Sequence, residues 1–435
     1  MFFKRFCQDR RASVLPLFAV VAVPLVAVIG AAIDYSRTSS VRTEMQAALD
    51  ATALMLSKET PGQADTALTA KANDYFQALY SRPEAKNVII SAGGSGSTDN
   101  ATLTVKGTGT LATRFSGLLG FSSIDFAGSS TVQWGSARLR VSLVLDNTGS
   151  MAAAGKMGAL KTAAHNLLTQ LQTAAKNTGD VYVSIVPFAD VVNVDPINRN
   201  ETWVRWDLWE EVNGACSNSA YTTKTACTAG LGIWTAADRS TWSGCVTDRD
   251  QNYDTTSAAP STLTAGTLFP AEQAVGKCPA PLMGLSYSWP ELHKKIDDME
   301  PKGTTNQAIG LQWGFQSLTS APLTVPSVDA LYKYRQIIIL FTDGMNTKDR
   351  WYTDAASIDA RQKITCENVK TAGIVLYTVQ VTTDADPVST MLQNCATADE
   401  VDPKGPKFFF LTSGSQIVTT FNQIGTSLAK LRISK

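Results

Sequence analysis

The sequence predicts an α/β protein whose main domain is a doubly wound, mostly parallel sheet. A membrane-spanning helix and a small α+β region are expected to precede this domain. Three observations support the prediction: an uncharged apolar stretch at residues 12–33, alternating strand and helix patterns over residues 137–435, and polar side chains directly after two of the strands. Strands that alternate with helices are typical of a parallel sheet covered by helices on both faces.

The apolar stretch at residues 12–33 is predicted to span a membrane, because a helix of that length crosses the ~30 Å hydrocarbon core. Residues 1–11 carry four basic side chains and one acidic one. The positive-inside tendency therefore places this tail in the cytoplasm and everything after Asp34 across the membrane. A cleaved signal peptide is the alternative, although the apolar run exceeds the usual h-region of about 7 to 15 residues.

Residues 34–136 are expected to form a helix continuous with the span, a second helix at residues 64–80 and three strands. A long N-terminal helix that leads into a small α+β body is a pilin-like layout. The alternative is a stalk that holds the next domain away from the membrane. The pattern is compatible with both interpretations.

The main domain is predicted at residues 137–435, where apolar strand patterns alternate with amphipathic helix patterns. The strand patterns lie at residues 139–145, 181–187, 336–341, 374–381 and 407–411, and the helix patterns at residues 157–175, 306–318, 357–372, 387–395 and 415–431. This alternation predicts a Rossmann-like, doubly wound sheet.

Composition argues against several classes of function. The 38 basic and 38 acidic residues give a formal net charge of 0, so no general electrostatic attraction to nucleic acid is expected. Two histidines, His165 and His293, leave little for a zinc enzyme or a Ser-His-Asp hydrolase. Neither a glycine-rich dinucleotide motif nor a P-loop lysine motif occurs, so nucleotide binding is not predicted.

Oxygen-bearing side chains follow two strands of the predicted sheet. Asp146, Thr148 and Ser150 come directly after the first strand of the main domain, and Asp343 ends a later buried strand. A third loop, which contains Thr305, opens a helix. Open α/β sheets bind ligands at the carboxyl ends of their strands, and an all-oxygen set suits a hard cation such as Mg²⁺. The alternative is that the first loop only caps its helix and holds no metal.

This pattern resembles the metal-ion-dependent adhesion site of von Willebrand factor A domains. The join between the span and its helix, at residues 30–35 and 46–50, resembles the TadG-like proteins of bacterial Tad/Flp pilus assembly. The resemblance implies that Mg²⁺, or Mn²⁺ or Ca²⁺, is held by five ligands: Asp146, Thr148, Ser150, Thr305 and Asp343. Thr305 fits the family's central threonine better than Thr304, and Thr148 replaces the commoner serine.

The resemblance implies binding rather than catalysis. The expected protein is a membrane-anchored component of Tad/Flp pilus assembly or secretion, whose metal ion takes an Asp or Glu of a protein partner or surface ligand. It would lie in the bacterial inner membrane with a single span, a cytoplasmic N-terminus and a periplasmic C-terminal domain. The alternatives are a minor pilin-like subunit or surface adhesin and, last, a periplasmic metal-dependent hydrolase, which would lack a convincing general base.

Six of the seven cysteines lie beyond the span, as expected for three disulfides in an oxidising compartment. Cys366 and Cys395 fall in predicted helices that flank one strand and could form one disulfide. Four more cysteines lie in an insertion at residues 190–289 and allow three pairings, which the sequence does not distinguish: Cys216, Cys227, Cys245 and Cys278.

The same insertion holds six of the nine tryptophans. They either hold the insertion together or form an exposed recognition face, and the first interpretation is favoured. Acidic or amide side chains also occur at every second position from Asp248 to Asp254, as in a calcium loop. Tyr253 occupies the position that requires glycine in such a loop, so calcium is not expected there.

Overall fold

The computed structural model describes residues 14–59, 65–97, 100–135, 137–329, 332–382, 387–398 and 407–432. The chain divides into two compact units, and the division falls between Gly135 and Ser136. The predicted cytoplasmic tail at residues 1–11 lies outside the described residues.

The first unit packs two helices on an antiparallel sheet in the strand order β1-β2-β3. Its elements are α1 (Val14–Glu59), α2 (Asp65–Leu79), β1 (Ala85–Ser97), β2 (Asn100–Ala112) and β3 (Ser123–Gly135). Met45, Leu49, Ala53 and Leu56 of α1 are buried in the core of this unit. Their spacing of three or four residues places them on one face of the helix, which explains why this part of α1 packs.

Helix α1 is also long and apolar enough to cross a membrane, judged by length and composition over Val20–Ser57. It is the one such helix among the residues that the structure describes, and a signal sequence near the N-terminus would meet the same criterion. The predicted span at residues 12–33 thus corresponds to the N-terminal part of α1, except for residues 12 and 13, which are not described.

Asp34 links α1 to the turn that follows β2. Its side chain is buried and accepts hydrogen bonds from the backbone N–H groups of Arg114, Phe115 and Ser116 at 2.9, 2.9 and 2.8 Å. These N–H groups lie outside the strand ladder and need another acceptor when they are shielded from water. The carboxylate of Asp34 therefore holds the turn against the helix.

The second unit contains a large, mostly parallel sheet and the helices that cover it. Its strands are β4 (Arg138–Asp146), β5 (Val181–Phe188), β6 (Val192–Asn193), β7 (Val204–Arg205), β8 (Gly214–Cys216), β9 (Trp234–Ala236), β10 (Cys245–Val246), β11 (Phe269–Glu272), β12 (Met283–Ser286), β13 (Tyr334–Thr342), β14 (Val375–Val381) and β15 (Phe408–Leu411). Its helices are α3 (Lys156–Ala174), α4 (Asp207–Val212), α5 (Lys224–Ala229), α6 (Trp289–Asp297), α7 (Gln307–Thr319), α8 (Ala355–Thr371), α9 (Thr390–Cys395) and α10 (Gly414–Arg432).

The central strands lie in the order β12-β5-β4-β13-β14-β15. Neighbours from β5 to β15 are parallel, and β12 pairs with β5 in the antiparallel direction. If only the six central strands are counted along the chain, this order is 3-2-1-4-5-6, as in doubly wound folds, with β12 at the end of the insertion as the third strand. The predicted fold class of the main domain is therefore confirmed.

Alternate side chains of β13 enter two different cores. Ile337 and Ile339 pack with residues of α3, α6 and α10, whereas Ile338 and Leu340 pack with residues of α7, α8 and α9. Successive side chains of a strand point to opposite faces of a sheet, so an uninterrupted apolar strand requires cover on both sides. The result is a three-layer arrangement with helices on both faces.

The insertion continues the sheet beyond β5 through β6, β10, β11 and β7. Trp206, Trp209 and Trp242 are buried and belong to the same core as Trp313 of α7. These tryptophans therefore hold the insertion against the domain, as the favoured interpretation expects. Three disulfides form in the second unit: Cys216–Cys227, Cys245–Cys278 and Cys366–Cys395.

We predict that Asp34→Ala speeds amide hydrogen exchange at residues 114–116 by roughly tenfold or more, because each hydrogen bond to a charged acceptor contributes about 1.5 to 3 kcal/mol. Exchange is measured by mass spectrometry on the full chain in detergent. Asp50→Ala is the control, because Asp50 is exposed and accepts a hydrogen bond from the Gln46 side chain on the same helix. Equal protection of these amides in Asp34→Ala and the parent would contradict the assigned role of Asp34.

Candidate metal centre

Four of the five predicted ligands meet at the carboxyl ends of β4 and β13. The Thr148 hydroxyl donates to Asp146 Oδ1 at 2.6 Å, and the Ser150 hydroxyl donates to Asp343 Oδ1 at 2.7 Å. The two hydroxyl oxygens lie 2.9 Å apart. The side chains therefore form a continuous series of short oxygen contacts from the first carboxylate to the second.

The series contains three oxygen–oxygen contacts, but the two hydroxyls supply only two hydrogens. Each hydroxyl carries a single hydrogen. If Thr148 and Ser150 each donate to a carboxylate, no hydrogen remains for the 2.9 Å contact between their own oxygens. Two close oxygens with unshared lone pairs are favourable when a cation binds both.

The pairing of β4 with β13 places the two carboxylates side by side. These strands are parallel neighbours, and Phe341 pairs with Leu145 immediately before the strands end. Asp146 Oδ2 then accepts hydrogen bonds from the Thr342 hydroxyl at 2.8 Å and from the Asp343 N–H at 3.3 Å. The sheet itself therefore fixes the position of Asp146 relative to Asp343.

Burial is the main cause of the raised pKa of Asp146. Desolvation, followed by repulsion from Asp343, raises the pKa of Asp146 above its usual range. Hydrogen bonds from Thr148 and Thr342 act in the opposite direction. Two adjacent buried carboxylates need positive charge close by if both are to be ionised.

In the structure, Lys156 supplies that charge. Its side-chain Nζ lies 2.6 Å from Asp343 Oδ2, and the residue is only 2% exposed. Lys156 is the first residue of α3, directly after Gly155, whose φ of +68° is a left-handed conformation that favours glycine. Sequence reasoning did not identify Lys156. Its place at the start of the helix that follows the first ligand loop is the signal that could have revealed it.

The third loop contacts the first through backbone hydrogen bonds. Lys302 N–H donates to the Asn147 carbonyl at 2.7 Å, and Gly149 N–H donates to the Gly303 carbonyl at 3.1 Å. Gly303 has a φ of +81°, and a Cβ at this position would lie 2.8 Å from the Cβ of Ala189. Only glycine fits this turn without rearrangement, which explains why a glycine precedes Thr304 and Thr305.

Thr305 and Thr304 differ in their surroundings. Thr305 is 5% exposed, and its N–H donates to the Thr347 hydroxyl at 2.9 Å. Thr304 is exposed, and its N–H lies 3.4 Å from Asp190 Oδ1. Among the described residues, no hydrogen bond joins the Thr305 hydroxyl to the other four predicted ligands. The structure therefore places Thr305 on an adjoining loop, inside the fold.

The side chains at this edge fit a hard divalent cation. The predicted ligands there offer only carboxylate and hydroxyl oxygens, as Mg²⁺, Mn²⁺ and Ca²⁺ prefer. In the part of the chain that the structure describes, no three His, Cys, Asp or Glu side chains form a metal-binding group. The site has only two carboxylates, so hydroxyls, water or an outside ligand would complete the shell.

Asp248 of the insertion supports the third loop, which carries Thr305, by a hydrogen bond with Asn306. It accepts hydrogen bonds from Asn306 Nδ2 at 3.0 Å and from Arg350 N–H at 3.2 Å. The Asn306 side chain in turn accepts from Ile309 N–H at 3.2 Å and so caps α7. Burial, and to a smaller extent repulsion from Asp349, raises the pKa of Asp248 to about 7. Sequence reasoning did not connect this residue to the site.

The neighbouring acidic residues of the insertion pair with arginines. Asp250 contacts Arg205 and Arg350, each at 2.8 Å, and Asp254 contacts Arg361 at 2.6 Å. The pairs with Arg350 and Arg361 attach the insertion to the loop after β13 and to α8, whereas the pair with Arg205 lies within the insertion. The carboxylates at every second position therefore act as structural anchors in this fold.

Comparison with known families supports the N-terminal resemblance. Residues 12–55 match the family described as putative Flp pilus-assembly TadE/G-like. This segment includes most of α1, so the predicted resemblance is confirmed there. No sequence among the curated proteins matches this chain.

Several solved structures resemble this chain at low identity. The pilus adhesin SpaC from Lactobacillus rhamnosus GG is 13% identical, with a TM-score of 0.37, over 81% of this chain and 36% of SpaC. The vWF domain of the type V pili tip protein Mfa5 from Porphyromonas gingivalis is 8% identical, with a TM-score of 0.38, over 69% of this chain and 97% of that domain. Proximal thread matrix protein 1 of the mussel byssus, whose structure has a zinc-occupied MIDAS motif, is 13% identical, with a TM-score of 0.34, over 68% of this chain and 48% of that protein. This chain therefore spans about a third of the SpaC chain.

We predict that Asp248 makes the stability of the metal-free protein dependent on pH. Its folded-state pKa of about 7 exceeds the ordinary value of 3.8. The stability that its proton provides is therefore fully present below pH 3.8 and is lost as the pH rises through about 7. Asp248→Asn cannot ionise, so its Tm relative to the parent should be higher at about pH 8 than at about pH 5.

The Tm values are measured by tryptophan fluorescence on the full chain in detergent with a metal chelator. Asp250→Asn is the matched control, because ion pairs with arginines lower the pKa of Asp250. Its Tm relative to the parent should not rise between the two pH values. A constant Tm difference between Asp248→Asn and the parent would contradict the prediction.

Proposed function

We propose that this protein is a membrane-anchored interaction component of pilus assembly or secretion, and that it binds a carboxylate of a protein partner through a divalent cation. The proposed ligands are Asp146, Thr148, Ser150, Thr305 and Asp343. The observation that carries the proposal is the 2.9 Å contact between the Thr148 and Ser150 oxygens. When each hydroxyl donates its one hydrogen to a carboxylate, no hydrogen is left for this contact. The match at residues 12–55 supports the link to pili.

Each group of residues at the site has a different role in binding the cation. When bound, the cation supplies an electrophilic centre with an open position for an outside carboxylate. Asp146 and Asp343 provide the negative charge that retains it, and the sheet holds them in place. Thr148 and Ser150 offer neutral oxygens, which leave more of the cation's charge available to a partner than further carboxylates would. Asn306 and Asp248 orient the loop that carries Thr305.

We further propose that the protein binds its partner without catalysing a reaction. His165 and His293 contact each other, and His165 also contacts Asp297 instead of the site. Lys156 is paired with Asp343, so among the described side chains around the site we assign no general base besides the ligands themselves.

The proposed location is the bacterial inner membrane, with the N-terminus in the cytoplasm and the second unit in the periplasm. Helix α1 supports the anchor by its length and composition. The three disulfides support an oxidising compartment for the second unit.

A minor pilin-like subunit is the second candidate. The observation in its favour is that α1 continues from its apolar N-terminal part into a core with an antiparallel sheet. The two candidates differ in location, because an anchored component stays in the inner-membrane fraction whereas a subunit is found in sheared pili. Immunoblots of both fractions distinguish them.

The main test is calorimetric titration of Mg²⁺ and Mn²⁺ into the full chain in detergent. We predict that the parent binds and that Asp146→Ala and Asp343→Ala each weaken binding roughly tenfold or more, because each removes a charged ligand. Asp297→Ala is the control, because it removes a carboxylate of the same unit that contacts His165. Unchanged metal binding in Asp146→Ala would contradict the assignment.

The same variants test the biological part of the proposal. In cells that assemble the pilus, Asp146→Ala should reduce the number of assembled pili, whereas Asp297→Ala should not. Immunoblots check that the variants reach normal levels. Normal piliation with Asp146→Ala, despite lost metal binding, would contradict a metal-dependent role in assembly.

A further inference from the structure

We propose that Lys156 is a built-in counter-ion of the metal site, which must leave Asp343 before a divalent cation binds and which therefore sets the affinity of the site. This inference rests on the proposed function, because it concerns the same carboxylates. It adds a residue that competes with the metal and makes occupancy depend on the metal concentration.

Burial is the first observation behind this inference. Lysine is almost never fully buried unless its charge is paired. Lys156 is 2% exposed, and its Nζ lies 2.6 Å from Asp343 Oδ2. The other carboxylate oxygen of Asp343 accepts the hydrogen bond from Ser150 at 2.7 Å. The ammonium group and the proposed ligands thus share one carboxylate.

The second observation is the way in which the fold holds the backbone of this lysine. Leu160, Ala163 and Leu167 bury one face of α3 in the core, so the start of the helix has a fixed position. The four-carbon side chain of lysine is flexible and ends in a compact charge. Lys156 can therefore withdraw its ammonium group from Asp343 while α3 stays in place.

Electrostatics make the two cations mutually exclusive at Asp343. A divalent ion on this carboxylate would lie within a few ångströms of the ammonium group, and like charges repel strongly at that distance in a buried site. Without metal, Lys156 offsets the repulsion between Asp146 and Asp343. When metal is bound, the charge of Lys156 repels the cation and makes binding less favourable. Lys156 therefore stabilises the metal-free site and weakens metal binding.

The test compares variants of Lys156 by calorimetric titration of Mn²⁺ into the full chain in detergent. Lys156→Met keeps the length of the side chain and suits a buried position, while Lys156→Gln keeps a hydrogen-bond donor without the charge. Both should bind Mn²⁺ roughly tenfold more tightly or better, because the competing charge is gone. Lys156→Arg keeps the charge and should not bind more tightly than the parent.

Lys161→Met is the matched control, because Lys161 lies on the same helix and its exposed Nζ donates to the Asp297 carbonyl at 2.9 Å. It should bind Mn²⁺ as the parent does. A thermal scan adds a second readout: without metal, Lys156→Met should melt below the parent, and Mn²⁺ should raise its Tm by more than it raises that of the parent.

The outcomes separate this inference from the proposed function. Equal affinity in the parent and in both neutral variants would overturn the inference and leave the metal site standing. Loss of binding in both neutral variants would also overturn it, since Lys156 would then help to build the site. Tighter binding in both neutral variants than in the parent and in Lys156→Arg would support it. No binding in any protein would overturn the proposed function and this inference together.

Discussion

The burial of two carboxylates side by side is the constraint on which the second unit depends. Asp146 and Asp343 end neighbouring parallel strands, so the pairing of β4 and β13 forces them together. Each strand is covered on both faces by helices, and both carboxylates are buried, with Asp146 0% and Asp343 4% exposed. A fold that accepts such repulsion must supply hydrogen bonds and positive charge at the same place.

The surrounding residues supply these hydrogen bonds and this positive charge. The hydroxyls of Thr148 and Ser150 lie between the carboxylates, and Lys156 reaches Asp343 from the start of α3. The loop that carries Thr305 is fixed by a glycine turn and by Asn306, which Asp248 of the insertion holds from behind. The insertion is therefore part of the structure that supports the site, and Trp206, Trp209 and Trp242 pack it into the core of the domain.

The fold and the meeting of four of the proposed ligands at one edge of the sheet could be predicted because their signals are local. The apolar strands and the residues at their ends are visible in the sequence, and parallel pairing brings those ends together. Strand β12 could not be predicted in this way, because Met283–Ser286 is short and has no alternating pattern. The sequence also did not reveal the roles of Lys156 and Asp248 at this site. Lysine usually lies on the surface, so a buried Lys156 was not expected. Asp248 contacts Asn306 and Arg350, which are 58 and 102 residues away from it in the chain.

The most direct test of this account is anomalous diffraction from crystals of the protein grown with Mn²⁺. The account predicts an anomalous peak in contact with the hydroxyl oxygens of Thr148 and Ser150, with the Lys156 ammonium group withdrawn from Asp343. A structure with no peak at this position and with Lys156 still paired to Asp343 would contradict it.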